Sequence, residues 1–153
     1  MNNENKIIIY QVFTRLFGNN NNHCVYNGDI VTNGCGKMAD FTLKALSEIK
    51  KLGTTHIWYT GIIEHATQTD YRRYNISPDH PAIVKGKAGS PYAIKDYYDV
   101  DPDLANDIPE RMREFENLVR RTHRAGLKVI IDFVPNHVAR QYHSDAQPDG
   151  TTE

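Results

Sequence analysis

The side chains best suited to chemistry fall in one stretch, where Asp132, Asn136 and His137 set a carboxylate, an amide and an imidazole within six residues. Together they accept hydrogen bonds, donate them and carry charge toward a ligand. They follow Val129-Ile130-Ile131, a run too dense in apolar side chains for a half-exposed strand, so it predicts a strand covered on both faces, as in a parallel sheet. Pro135 lacks the N–H that a further ladder bond needs, which puts the polar groups in the strand's exit loop. Parallel α/β folds build their sites at that end of the strand. The same six residues also read as a polar strand cap without chemistry, and the rest of the chain decides between the two.

Two more strands are expected upstream to position them. Ile7 to Phe13 is again continuous rather than alternating, and Gly53 to Tyr59 is rich in β-branched and aromatic residues. Between them Asp40 is the expected cap of a helix whose stripe is Phe41, Ala45, Leu46, Ile49 and Leu52, ending at Gly53. Strand, helix and strand make a βαβ unit. Asp107, with Pro109 in the first turn, is the expected cap of a second helix that turns Met112, Phe115, Leu118, Val119, Thr122 and Ala125 inward. Its Arg111, Arg113, Arg120 and Arg124 read as a solvated face.

Two stretches lack this periodicity. Gly18 to Lys37, with Asn19-Asn20-Asn21-Asn22, reads as a long loop; its amides and carbonyls offer oxygen ligands for calcium, though such stretches serve mostly as turns. Thr60 to Asp107 is too long for a structureless connection, which predicts a functional loop. His56 reads as a packed, hydrogen-bonded histidine within a strand, while Glu64 and His65, past its end, either line the pocket or face solvent. Gln141 to Glu153 reads as a loop start or frayed tail.

Composition bounds the function. The 153 residues suffice for one core, burying about 70% of the surface exposed by the unfolded chain. The 18 Lys and Arg nearly balance 19 Asp and Glu, so nothing suggests nucleic acid or an anionic membrane, and small neutral substrates fit better. No run is long enough to span a bilayer, and the polar start Met1 to Lys6 leads into no signal-peptide core; a cytoplasmic chain, or a secreted mature form without its leader, is expected. Cys24 and Cys35 pair only in an oxidising compartment, and without a secretion signal read as free thiols. Asn75-Ile76-Ser77, followed by Pro78, is a glycosylation acceptor in form only.

Four segments resemble, in order, the alpha-amylase family (glycoside hydrolase family 13). Tyr10-Gln11-Val12-Phe13 is similar to its first barrel strand and Gly53 to Trp58 to its Gly-x-Thr-x-Ile-Trp strand. Tyr92 to Tyr97 matches Tyr-x-x-x-Asp-Tyr, and His123 to His137 joins His-x-x-Gly-x-x-Val-Ile to the signature Asp-x-x-x-Asn-His. Two positions depart from the pattern: Gly61 stands where proline is expected, and Pro91 where glycine precedes the tyrosine.

The resemblance implies a TIM (β/α)8 barrel, of which residues 1–153 form the amino-terminal portion: three strands, the intervening helices and the start of the loop after strand three. It implies retaining cleavage or transfer at α-glucosidic bonds of an α-glucan or malto-oligosaccharide. Tyr92 would stack under the sugar and His137 would hydrogen-bond it. Asp132 would support neighbouring site residues, and Asn136 would offer a calcium ligand on condition that the rest of the site is supplied from elsewhere. The family's nucleophile and acid lie on later strands, so no catalytic carboxylate is assigned in this chain. A carbohydrate-binding or vestigial half-barrel is the other class that these segments allow. Either way, uncovered strand edges and helix faces predict association.

Overall fold

The computed structural model describes residues 6–151. In chain order come β1 (Ile9–Phe13), α1 (Ile30–Asn33), α2 (Leu43–Lys51), β2 (His56–Thr60), β3 (Ile63–His65), β4 (Ile94–Val100), α3 (Arg111–Arg124) and β5 (Lys128–Ile131). Strands β1, β2 and β5 form one parallel sheet in that order, with Gln11, Trp58 and Ile130 side by side. This is the opening of a (β/α)8 barrel, because each parallel step is made through a helix, α2 and then α3.

Side chains alternate across a strand, and that alternation divides the sheet. Tyr10, Val12, Ile57, Tyr59 and Val129 join a core built with Phe41, Leu46, Ile49 and Leu118. The opposite face carries Ile9, His56 and Lys128 in one row, and Gln11, Trp58 and Ile130 in the next. That face is open: Ile9, Gln11 and Lys128 are exposed. The expected cover on both faces is therefore not met within this chain, since three strands leave bare what a closed barrel encloses.

Helix starts differ from the sequence expectation. Thr42, not Asp40, caps α2, its hydroxyl accepting from Ala45 N–H at 3.2 Å, while Asp40 accepts from Lys37 N–H at 2.6 Å and tightens the preceding turn. Leu52 falls outside the buried stripe, 69% exposed. At α3 the cap runs backwards: the Asp107 side chain caps nothing, and the Glu114 carboxylate accepts from Asn106 N–H and Asp107 N–H at 2.7 to 3.1 Å. Met112 is exposed, leaving Leu118 and Thr122 as the buried positions of α3. Arg111 is not part of a solvated face, because it clamps both oxygens of buried Asp99.

The stretch read as a functional loop, Thr60 to Asp107, contains the antiparallel pair β3–β4, joined through Glu64 opposite Asp96 and His65 opposite Ile94. Among the described residues no helix is long and apolar enough to cross a membrane. The polar residues 1–5 of the expected leaderless start lie outside the described residues. Cys24 and Cys35 are both free, as expected.

Phe41 is fully buried, stacked on Phe17 at 4.1 Å and edge-on to Tyr59 at 4.9 Å. Phe41→Ala should lower unfolding free energy by about 3–5 kcal/mol in urea titrations. A loss below about 1 kcal/mol would show that this aromatic cluster does not hold the helix layer to the sheet.

Candidate functional site

The site forms at the carboxyl ends of the parallel strands. Asp132, just past β5, accepts the Trp58 indole N–H at 2.6 Å, and its other oxygen is buried without a hydrogen-bond partner. The alternation explains the contact: Trp58 and Asp132 both point to the open face, on adjacent strands. Beside them Gln11 donates to the Thr60 hydroxyl at 3.0 Å. Trp58 had passed as a strand residue in the sequence; its two-residue spacing from Thr60, on the face opposite buried Ile57 and Tyr59, was the signal that could have placed it in the site.

Asn136 and His137 lie exposed in the loop after β5. Tyr97 holds that loop: its hydroxyl donates to Val134 O and reaches His137 O at 3.3 Å, and its ring packs on Phe133 and Tyr142 at 5.4 and 5.9 Å. Tyr97 thus pins the loop after β5. Tyr92, 42% exposed, sits in a turn seated on the ends of β1 and β2. A Cβ on Gly61, which has φ +82, would lie 3.1 Å from the Phe13 ring and 3.3 Å from Pro91 Cβ. The two departures from the family pattern meet here, because the glycine leaves the space that the proline fills.

Arg15 secures the same turn from the other side. It donates to Ala88 O at 3.2 Å and to Asp103 at 2.9 Å. Asp103 also accepts from Tyr71 OH at 2.8 Å, and its carbonyl accepts Lys37 Nζ at 2.6 Å. A cleft of about 660 Å³ opens against Arg15, between the loop after β1 and residues 68–70 and 87–88. A second cavity, about 460 Å³, is lined by Lys6, Lys50, His56 and Lys128 at the opposite, amino end of the strands. His56 opens its strand and stands half-buried, a ring nitrogen 2.7 Å from the Thr55 hydroxyl.

Glu64 and His65 neither line the pocket nor face solvent; both are 1% exposed inside the β3–β4 pair. Glu64, Asp96 and Asp99 offer oxygens within 4.8 Å of one another, the spacing that a cation would want. Their partners argue against one. Asp96 accepts from Ser144 Oγ and from the N–H groups of Tyr98, Asp145 and Ala146, Asp99 is clamped by Arg111, and Lys95 Nζ stands 3.6 Å from Glu64. Burial, with Asp99 and Asp96 adding to it against Lys95, pushes the Glu64 carboxyl up to about 8. A proton on Glu64 relieves the repulsion that an ion would otherwise balance. Asn136 is no member of this cluster; it stands exposed in the loop after β5. In the Asn-rich loop, the Asn19 and Asn21 oxygens accept backbone N–H groups at 3.1 and 2.8 Å, the turn role rather than the metal role.

Comparison with known proteins adds the lineage. The family model for the alpha amylase catalytic domain matches residues 11–148. The amino acid transporter heavy chain SLC3A1 of Mus musculus is 28% identical over 134 residues, covering 88% of this chain and 14% of that protein. Trehalose-6-phosphate hydrolase of Bacillus subtilis is 26% identical over 137 residues, covering 90% and 18%. The crystal structure of a noncanonic maltogenic alpha-amylase, AmyB from Thermotoga neapolitana, superposes with a TM-score of 0.57 at 29% identity, over 93% of this chain and 26% of that one. The chain thus spans a small part of the length of each.

The raised carboxyls set the pH response. A proton held by folded Glu64 and lost by the unfolded chain stabilises fully below about 4.5 and is lost as pH rises toward 8; buried Asp101, pushed up to about 6, acts in the same direction from 3.8. Unfolding free energy should therefore fall by a few kcal/mol between pH 5 and pH 8, at roughly 1.4 kcal/mol per pH unit at most for each group. Glu64→Gln, which keeps the shape of the protonated acid, should remove most of that fall. An unchanged pH slope in the variant would show that Glu64 is ionised in the fold.

Proposed function

This chain belongs to the alpha-amylase family, and from that premise we propose that it is the amino-terminal portion, residues 1–153, of the catalytic barrel of a glycoside hydrolase acting on α-glucosidic bonds of malto-oligosaccharides or related α-glucans. The observation that carries the reading is the Trp58–Asp132 bond at the strand ends, with the Tyr97-pinned loop beside it. It puts a half-buried aromatic, a carboxylate with one unpartnered oxygen and the loop bearing His137 on one rim, where barrel enzymes act. In this reading Tyr92 stacks on the sugar ring and His137 donates to its hydroxyls. Asp132 holds Trp58 and offers its free oxygen to the site. Retaining cleavage needs two carboxyl groups about 5 Å apart across the bond, and these come from later strands of the longer protein.

A second reading, a barrel start that binds carbohydrate or serves assembly without hydrolysis, draws support from the relative named a transporter heavy chain, which covers the same residues. Both readings have this part of the barrel in common, and the later strands separate them.

The chain's one tryptophan, Trp58, stands at the site and reports on it. Titration with maltoheptaose should change its fluorescence saturably, and cellohexaose, with β links, should not. Tyr92→Ala should weaken binding about tenfold, which corresponds to roughly 1.4 kcal/mol. Equal responses to both sugars, or a Tyr92→Ala chain that binds as well as the parent sequence, would remove the α-glucan reading.

A further inference from the structure

The cavity at the amino end of the strands lies apart from Tyr92, Asp132 and His137, none of which lines it. Its charged lining carries one sign. Lys6 from the chain start, Lys50 from α2, Lys128 from β5 and the imidazole of His56 from β2 meet there, and no carboxylate stands among them. Among the described residues, no Asp or Glu forms an ion pair with any of the three lysines. The formal charge of −1 conceals this patch, because composition sums over the chain while a ligand meets only the local field.

Strand register places His56 directly opposite Lys128. Cross-strand neighbours of opposite charge stabilise a sheet, and this pair has no negative member. Thr55 fixes the imidazole: its one hydroxyl proton goes to Ile8 O at 3.0 Å, so at 2.7 Å the ring's Nδ1–H donates to the hydroxyl and Nε2 is left for a ligand. Lys50 is held as well, its Nζ donating to Gly126 O at 2.6 Å, which uses one of its three protons. Gly126 makes that approach possible, since a Cβ there would lie 2.5 Å from Nζ. The Lys6 and Lys128 ammonium groups have no hydrogen-bond partner among the described residues and are available to an anion.

We propose that this cavity is a binding site for a phosphoryl group. Phosphate oxygens accept from several ammonium groups at once, and lysine binds phosphate as a point charge without demanding a planar partner. A volume of about 460 Å³ has room for a small organic body beside the phosphoryl group, and Ile7 and Thr54 give that body an uncharged wall. The inference stands on these residues and does not depend on the α-glucan reading.

Lysine acetylation read by mass spectrometry, at constant ionic strength, tests the site residue by residue, with glycerol 3-phosphate as the probe. The ester should slow acetylation of Lys6, Lys50 and Lys128 roughly fivefold or more and leave Lys44 and Lys51, exposed on α2, unchanged, while glycerol should protect nothing. Inorganic phosphate separates the sources: weaker protection assigns the site to phosphate esters and equal protection to the free ion, and either result supports phosphoryl recognition. In calorimetry Lys6→Gln with Lys128→Gln, both at exposed positions, should weaken the ester roughly tenfold, and Lys128→Arg, which keeps the charge, should bind about as well as the parent sequence. Equal slowing of Lys44 and Lys51, or equal protection by acetate, would show diffuse attraction and overturn the site. An unchanged Kd in the double variant would overturn it as well.

Discussion

The Asp103 carboxylate, 1% exposed, ties together segments that the chain keeps far apart. Its two oxygens take Arg15 from the end of β1 and Tyr71 from the long excursion after β2, its carbonyl takes Lys37, and its N–H donates to Asp101 at 2.9 Å. A buried carboxylate is costly unless its lone pairs are filled, so these partners are obligatory for one another. Through Arg15 the same group reaches Ala88 and hence the turn of Tyr92. The rim of the site inherits its geometry from one desolvated charge.

The β3–β4 pair applies the same physics on a larger scale. Lys95, 2% exposed, donates to Ser77 O and stands 3.4 Å from Asp79, so it draws the excursion onto the strands. Asp96 gathers the chain around residues 144–146 in the same manner. The long segment between β2 and α3 is thus held by paired charges and hydrogen bonds more than by apolar area, which suits a rim that must stay polar toward a ligand.

Gly61 and Pro91 illustrate compensation within the family pattern. Each departs from the expected residue: the glycine alone would loosen the rim, and the proline alone would change the geometry of the loop. In the fold they pack against one another over Phe13, and the turn carrying Tyr92 keeps its seat on the strand ends. Exchange of a bulky and a small residue across one contact conserves the volume there, the condition under which packed contacts tolerate substitution.

The parallel strands, both long helices and the strand-end position of Asp132 were legible in the sequence, because hydrophobic period and chain order express local rules. So was the family, through motifs such as Asp132-Phe133-Val134-Pro135-Asn136-His137. The tertiary structure decided what depends on partners distant in sequence. The strand β4, Ile-Lys-Asp-Tyr-Tyr-Asp-Val, has no clean apolar alternation, since its charges are buried by pairing with Glu64, Arg111 and Ser144. Helix capping fell to other side chains: Thr42 caps α2 while Asp40 accepts from Lys37 N–H, and Glu114, inside α3, accepts from Asp107 N–H while the Asp107 side chain caps nothing. Trp58 entered the site only when register set it beside Asp132, for periodicity places a residue on a face and only packing says what it meets there.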